Sequence, residues 1–454
     1  MCEKMIGRNI LKVCPEYFRN LCFSRCPVER EYMKECYYRR LDALLIAGIL
    51  LIYFFCNLQK VIIPGSIFNE LQAHFGATAV EITGLGAVFM YCYGFFQLAT
   101  GMLIDRYSGV RVLVVGGAVF TLGCLLTALP LSLGGMYAAR LLAGLGASTI
   151  YLSMITEMAR ICGRHFPIFV GLGAFCGYSG SVIGSAPFIL LTQHFHWQYL
   201  LLILALLMLL VLLGFMLLAW LAKLPQIRHD LPFSLATFGK PLKNSQNWYT
   251  MMFMCFIFGS YFTLQTVIGK KILEDFAGMS AASAGLVLTM MVVLATVDGF
   301  AATLLSKWAG NRKVVFLRMA ALLTVFSLSA ALTAVGLGYR AHWYWWCIFI
   351  ILAAAGNFAP LVFVVIRDNN PEESLGTASS IINSSPYVAV AILGNLIGWI
   401  MGHWEPGEVA GKMVYPPQAY FSIFLLLMVF AILGCIGTFL LKEKGGRGQG
   451  NAEC

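Results

Sequence analysis

Lys60 stands in the apolar run LIYFFCNLQKVIIP, and Asp298 stands in VVLATVDGFAATLL. A lysine offers a compact point charge with three donors, suited to a carboxylate. An ionised acid at the centre of a membrane helix costs roughly 2.5–3.5 kcal/mol on insertion scales. A lone acid so placed is a candidate for taking up and releasing a proton, and Asp298 is expected to carry a coupling proton. Around Lys60 the sequence offers further groups for an organic anion. Arg140 could add a second cationic donor, while Asn57, Gln59, Tyr261, Gln265, Asn357 and Asn383 could hydrogen-bond the uncharged part of the ligand. The competing role for Lys60 is to snorkel to an interface. Glu157 is a weaker proton carrier, because Arg160 stands beside it. The chain has no GxxxxGK[ST] loop, HExxH or CxxC motif, so neither ATP-driven transport nor a membrane enzyme is expected, and no cofactor or metal. His194 and His196 beside Trp197 read as surface histidines of a short loop.

Such groups need helices to hold them. Of 454 residues, 59% are hydrophobic and only 11% charged, where soluble proteins carry about 25% charged residues. Lipid must therefore be one of the solvents. A spanning helix takes about 20 mostly apolar residues, and twelve segments qualify: 41–63, 81–100, 112–131, 135–158, 167–190, 199–222, 248–271, 283–305, 314–337, 343–366, 375–401 and 419–441, called α1 to α12. Helices are expected because backbone groups in lipid must be satisfied within the segment. The fold class is thus an all-α polytopic membrane protein with lipid as its constant partner. Its net charge of +10 is explained by topology, without nucleic acid. Of 31 Lys and Arg, Lys60, Arg140, Lys270, Lys271, Arg340 and Lys412 fall on one side and the other 25 on the side of the termini. By the positive-inside rule both termini are cytoplasmic, in the inner membrane if the source is bacterial.

The expected organisation is a cytoplasmic tail 1–40, a six-helix bundle 41–222, a polar linker 223–247, a second bundle 248–441 and a tail 442–454. The first tail has nine basic residues and no apolar run like that of a signal peptide; its Cys14, Cys22, Cys26 and Cys36 lack zinc-knuckle spacing and read as reduced thiols. The two bundles echo one another. Leu58-Gln59 and Val61-Ile62 match Leu264-Gln265 and Val267-Ile268, and Gly84-Leu85 matches Gly285-Leu286. The polar loop Arg106-Tyr107-Ser108-Gly109 matches Lys307-Trp308-Ala309-Gly310. Repeated halves are typical of secondary transporters, with the substrate site near the midplane. Helices α3, α6, α9 and α12 are almost wholly apolar and belong against lipid, whereas α1, α4, α7 and α10 carry the polar groups and belong at the centre.

The stretch GMLIDRYSGVR from Gly101 to Arg111 resembles the signature of the major facilitator superfamily, and RLLAGLG from Arg140 is similar to that superfamily's R-x-x-x-G-x-G element. The resemblance covers about residues 41–441. It implies a monomeric carrier working by alternating access, with Gly101, Asp105, Arg106, Gly109 and Arg111 as the latch of the outward-open state. The second copy has Ser306 in place of Asp105, so the second half should latch less strongly. Gly171, Gly180 and Gly184 resemble an element of drug exporters, though Ser185-Ala186 precedes Pro187, and close packing by small residues is the simpler reading.

The resemblance also narrows the substrate. Nitrate porters carry arginine in the second and eighth helices, where this chain has Gln97 and Asp298. Organic phosphate exchangers carry a cation in both α1 and α7, but the mate of Lys60 is Thr266. The position of Lys60 resembles the α1 cation of the superfamily's anion carriers. The expectation is a proton-coupled carrier of a small carboxylate-bearing metabolite. The alternatives are an amino-acid or short-peptide carrier, a drug exporter, and a non-transporting receptor or scaffold.

Overall fold

The computed structural model describes residues 27–129, 132–162, 166–222, 239–356, 358–409 and 412–444. The two extreme tails, the N-terminal cysteines Cys14, Cys22 and Cys26, and most of the linker lie outside them, as does Asn357. The twelve spans are α1 Leu41–Ser66, α2 Ala79–Ile104, α3 Gly109–Ala128, α4 Leu133–Cys162, α5 Phe169–Thr192, α6 Trp197–Leu221, α7 Ser245–Asp275, α8 Ala281–Asp298, α9 Lys313–Gly336, α10 His342–Asn369, α11 Ser374–Gly402 and α12 Pro417–Leu440. The helix of α1 already begins at Pro27, inside the segment expected as tail.

The spans α1–α6 and α7–α12 form two bundles. They meet chiefly along α2 with α11, α5 with α8, and α1 with α7. Between α1 and α2 lies a short helix, Phe68–Phe75, and between α11 and α12 a small hairpin pairs β1 Gly407–Val409 with β2 Lys412–Val414. Arg106, Arg111, Arg160, Lys313 and Arg367 gather at one face of the molecule, the basic face; the short helix and the hairpin sit at the far face.

The outward placement expected of α6 is met, whereas α3, at 56% buried, is no more exposed than α4. In α6, Tyr199, Ile203, Leu206, Leu210, Leu213, Leu217 and Trp220 form an exposed stripe at helical spacing, while Leu201, Ala205, Met208 and Leu212 face inward. Only 28% of its apolar window is buried, against 72% in α7, whose polar residues turn to the centre.

Several central helices are interrupted. Ile62–Ser66 ends α1 in a widened turn in which Ile63 leaves helical geometry. Two further widened turns, Met254–Phe258 and Leu264–Ile268, lie in α7. Such turns mark helices whose backbone is shaped for a site. At α5 the helix breaks after Gly184, and the freed Ala186 N–H donates to Thr289 Oγ1 of α8 at 2.9 Å. Close approach explains the glycines of α5: a Cβ on Gly180 would run into the Phe54 carbonyl of α1. This supports packing rather than an exporter element as their role.

Candidate functional site

Lys60 is 2% exposed and sits on the last helical turn before the bend of α1. Its Nζ lies 3.8 Å from the ring centre of Tyr93 on α2 and 5.1 Å from that of Tyr387 on α11. The two rings meet edge to face at 4.5 Å, so aromatic faces from both bundles close over one cation. Phe258 and Phe262 of α7 stand behind Tyr387 at 6.5 and 6.0 Å, and Tyr53 faces Tyr151 at 5.7 Å. Among the described residues no carboxylate pairs with Lys60. A desolvated cation–π contact is worth about 2 kcal/mol, whereas taking an ammonium out of water costs several kcal/mol. The rings therefore offset only part of the cost, and an anion would supply the rest.

Other polar groups within the spans are also left without partners. Both polar atoms of the fully buried Gln97, Nε2 of Gln265 and Oδ2 of half-buried Asp298 make no hydrogen bond. A buried polar group left unpaired costs about 1–3 kcal/mol. Tyr261, buried on α7, reaches toward the Met291 carbonyl of α8 at 3.5 Å and lies within electrostatic range of Asp298 and Tyr178. Asn57 donates to the Tyr53 carbonyl at 2.9 Å. Gln59 is buried and Asn383 half-buried.

Arg140 does not stand ready as a second donor for a ligand. Its Nη2 donates to the Ile63 carbonyl at 2.8 Å, its Nε to the Leu85 carbonyl at 3.3 Å, and its guanidinium covers the Phe89 ring at 4.2 Å. The bend of α1 exposes the Ile63 carbonyl, and the buried guanidinium fork ties it to the Leu85 carbonyl of α2. The arginine thus fixes the turn that presents Lys60.

At the basic face, Arg106 and Arg111 are exposed and Gly101 has open space beside it; the Asp105 side chain lies outside the described set. Glu157 of α4 accepts from the Val110 N–H at 3.0 Å and pairs with Arg160 at 2.7 Å. It therefore caps the start of α3, where an acid meets the helix dipole. Gly109 is glycine because a Cβ there would come within 2.6 Å of this carboxylate. The second half repeats the device: Glu443 accepts from the N–H groups of Lys313 and Val314, both at 2.8 Å, and the Lys313 side chain pairs with Asp368 of α10.

At the far face the bundles are sealed by charges at the end of α7. Lys270 Nζ donates to the Ser66 carbonyl at 2.6 Å and to Glu70 at 3.1 Å, both across the bundle boundary. Lys271 donates to Asn69 Oδ1 and the Met413 carbonyl, both at 2.8 Å, and pairs with Asp275 at 2.9 Å. Asn69 in turn donates to Glu274 at 2.7 Å. Beneath them Gly65 lies against the backbone of Thr266, where no side chain would fit. Since α7 runs on to Asp275, both lysines are buried within it, each with an acid one turn later.

The sequence profile described as Major Facilitator Superfamily matches residues 49–394. The MFS-type transporter ungB of Aspergillus violaceofuscus is 30% identical over 121 residues, and the methyl viologen resistance protein SmvA of Salmonella typhimurium is 27% identical over 129. Those alignments cover 26% and 28% of this chain but only 22% and 26% of the relatives' own length. A bacterial homologue of the human lysosomal transporter Spinster, inward-facing and unoccupied, superposes with a TM-score of 0.70 over 88% of this chain and 97% of its own, at 14% identity. A point mutant of the nucleoside transporter NupG gives 0.65 over 89% and 100%, also at 14%.

Proposed function

Because this chain belongs to the major facilitator superfamily and is a transporter of that fold, we propose that it moves a small organic anion, a carboxylate-bearing metabolite, by proton-coupled alternating access. The observation that carries the reading is the buried Lys60 ammonium, roofed by Tyr93 and Tyr387 and without an acid partner among the described residues. A substrate carboxylate completes that site. Since Tyr93 belongs to one bundle and Tyr387 to the other, a ligand at Lys60 touches both and can bias their relative position.

Asp298 is the proton carrier in this reading. Its unpartnered Oδ2 and the nearby Tyr261 support the role, since a carboxyl without a fixed partner can exchange its proton with whichever aqueous phase it meets. The far-face seal is the closed gate of this cycle. The basic face is placed in the cytoplasm, with both termini, on the positive-inside rule. Burial of Lys270 and Lys271 sharpens that argument: of the six basic residues first assigned to the far side, only Arg340 and Lys412 remain at its surface.

The test is a thermal-shift screen of purified protein against carboxylic acids and their methyl esters, followed by counterflow in liposomes with the compounds that bind. Acids should stabilise the protein and their esters should not. The names of the curated relatives favour a second reading, export of a drug or other metabolite. Binding of cationic compounds in preference to acids would establish that reading instead.

A further inference from the structure

Gln97 is completely buried on α2, four residues after Tyr93, and neither its Oε1 nor its Nε2 has a hydrogen-bond partner. The Tyr93 hydroxyl is near enough to interact with this amide but does not make a hydrogen bond of full geometry with either atom. Four helical residues on α2 correspond to a rise of about 6 Å, so this amide stands one turn nearer the basic face than the ring covering Lys60. Leu or Met is of similar size and would leave no polar group unpaired there.

An amide with a free acceptor and a free donor in one plane has a natural complement. That complement is a second amide edge, one N–H beside one C=O, as in a carboxamide or a lactam ring. We propose that Gln97 is a specificity-determining residue of the Lys60 site, and that it pairs with an uncharged amide or lactam edge carried on the side of the substrate away from its carboxylate, toward the basic face. This rests on the carboxylate reading of Lys60 and narrows it to one class, carboxylates bearing an amide-like edge. The aromatic walls formed by Tyr93, Tyr387, Phe258 and Phe262 suit a flat group between the two ends.

Three probes of one shape separate the contributions: benzoate, 4-carbamoylbenzoate and the monomethyl ester of terephthalate. Only the second places a donor and an acceptor opposite the carboxylate. Affinities are taken from unfolding-temperature shifts over a concentration series for wild type, Gln97→Leu and Lys60→Gln. Wild type should bind 4-carbamoylbenzoate at least about tenfold tighter than the other two, the discrimination that a pair of neutral hydrogen bonds supports. Gln97→Leu should bind all three equally, at the wild-type affinity for benzoate. A purely structural Gln97 would change stability without changing this ratio. Equal binding of the three by wild type, or a preference that survives in Gln97→Leu, overturns the Gln97 assignment and leaves Lys60 standing. Undiminished binding by Lys60→Gln overturns the carboxylate reading separately. If wild type binds none of the three, both are overturned.

Discussion

Replacing Lys270 by methionine should unlock the far face. Its ammonium makes two connections across the bundle boundary, to the Ser66 carbonyl at 2.6 Å and to Glu70 at 3.1 Å. Hydrogen bonds involving charged groups contribute about 1.5–3 kcal/mol each. Glu70 is 30% exposed, so solvent screening reduces its share. A combined value of about 2 kcal/mol shifts the balance between closed and open far faces by about thirtyfold. Methionine keeps the length and apolar stem of the side chain, and Glu274 retains Asn69 and Lys412 as partners. The assay uses a cysteine at Val267, 3% exposed below the seal, in a background free of other cysteines. Labelling by a membrane-impermeant maleimide added at the far face reports opening. Lys270→Met should raise the labelling rate about thirtyfold, and Glu70→Gln by about fivefold, the exposed pair being worth about 1 kcal/mol. The double variant should label no faster than Lys270→Met alone, because Glu70 acts through Lys270. An unchanged rate in a protein of unaltered unfolding temperature would refute the gate.

Three more outcomes are expected. Asp298→Asn should abolish accumulation driven by a proton gradient yet spare exchange of substrate for substrate; continued uphill transport would remove Asp298 from the coupling role. Glu157→Ala should lower stability by about 1–2 kcal/mol, the cost of losing an acidic helix cap, seen as a lower unfolding temperature, and no change would mean that the Val110 contact is idle. A disulfide between cysteines introduced at the basic-face ends of α2 and α11 should stop transport when oxidised; full activity of the crosslinked protein would exclude rocking of the two bundles.

Much of the fold was legible because lipid imposes a coarse code. Twelve apolar runs, the six-and-six division and the outward placement of α6 follow from length, hydropathy and periodicity, and the structure has them all. Lys60 was legible for the same reason, as a charge inside an apolar run. Its aromatic roof was not, since Tyr93 and Tyr387 are nearly three hundred positions apart and a tyrosine in a span has no special signal. The contacts of Arg140 were not legible, because the Ile63 carbonyl is freed only by the bend of α1 and the Leu85 carbonyl belongs to another helix, α2. The seal was not legible because Lys270 and Lys271 end the expected span at 271, although KKxxED places each lysine four residues before an acid and could have indicated a helix continuing to Asp275. Glu157 was weighed as a proton carrier, whereas its partner is the backbone of a neighbouring helix, a contact that no spacing announces.

The central claim is that a substrate carboxylate completes the charge of Lys60. It is tested most directly by counterflow of the best-binding acid in liposomes containing wild type, Lys60→Gln or Lys60→Arg at matched reconstitution. The account predicts that Lys60→Gln folds and inserts yet neither binds nor exchanges the acid, with partial return of binding in Lys60→Arg. Normal exchange by Lys60→Gln, or a transported compound that is neutral or cationic, would contradict it.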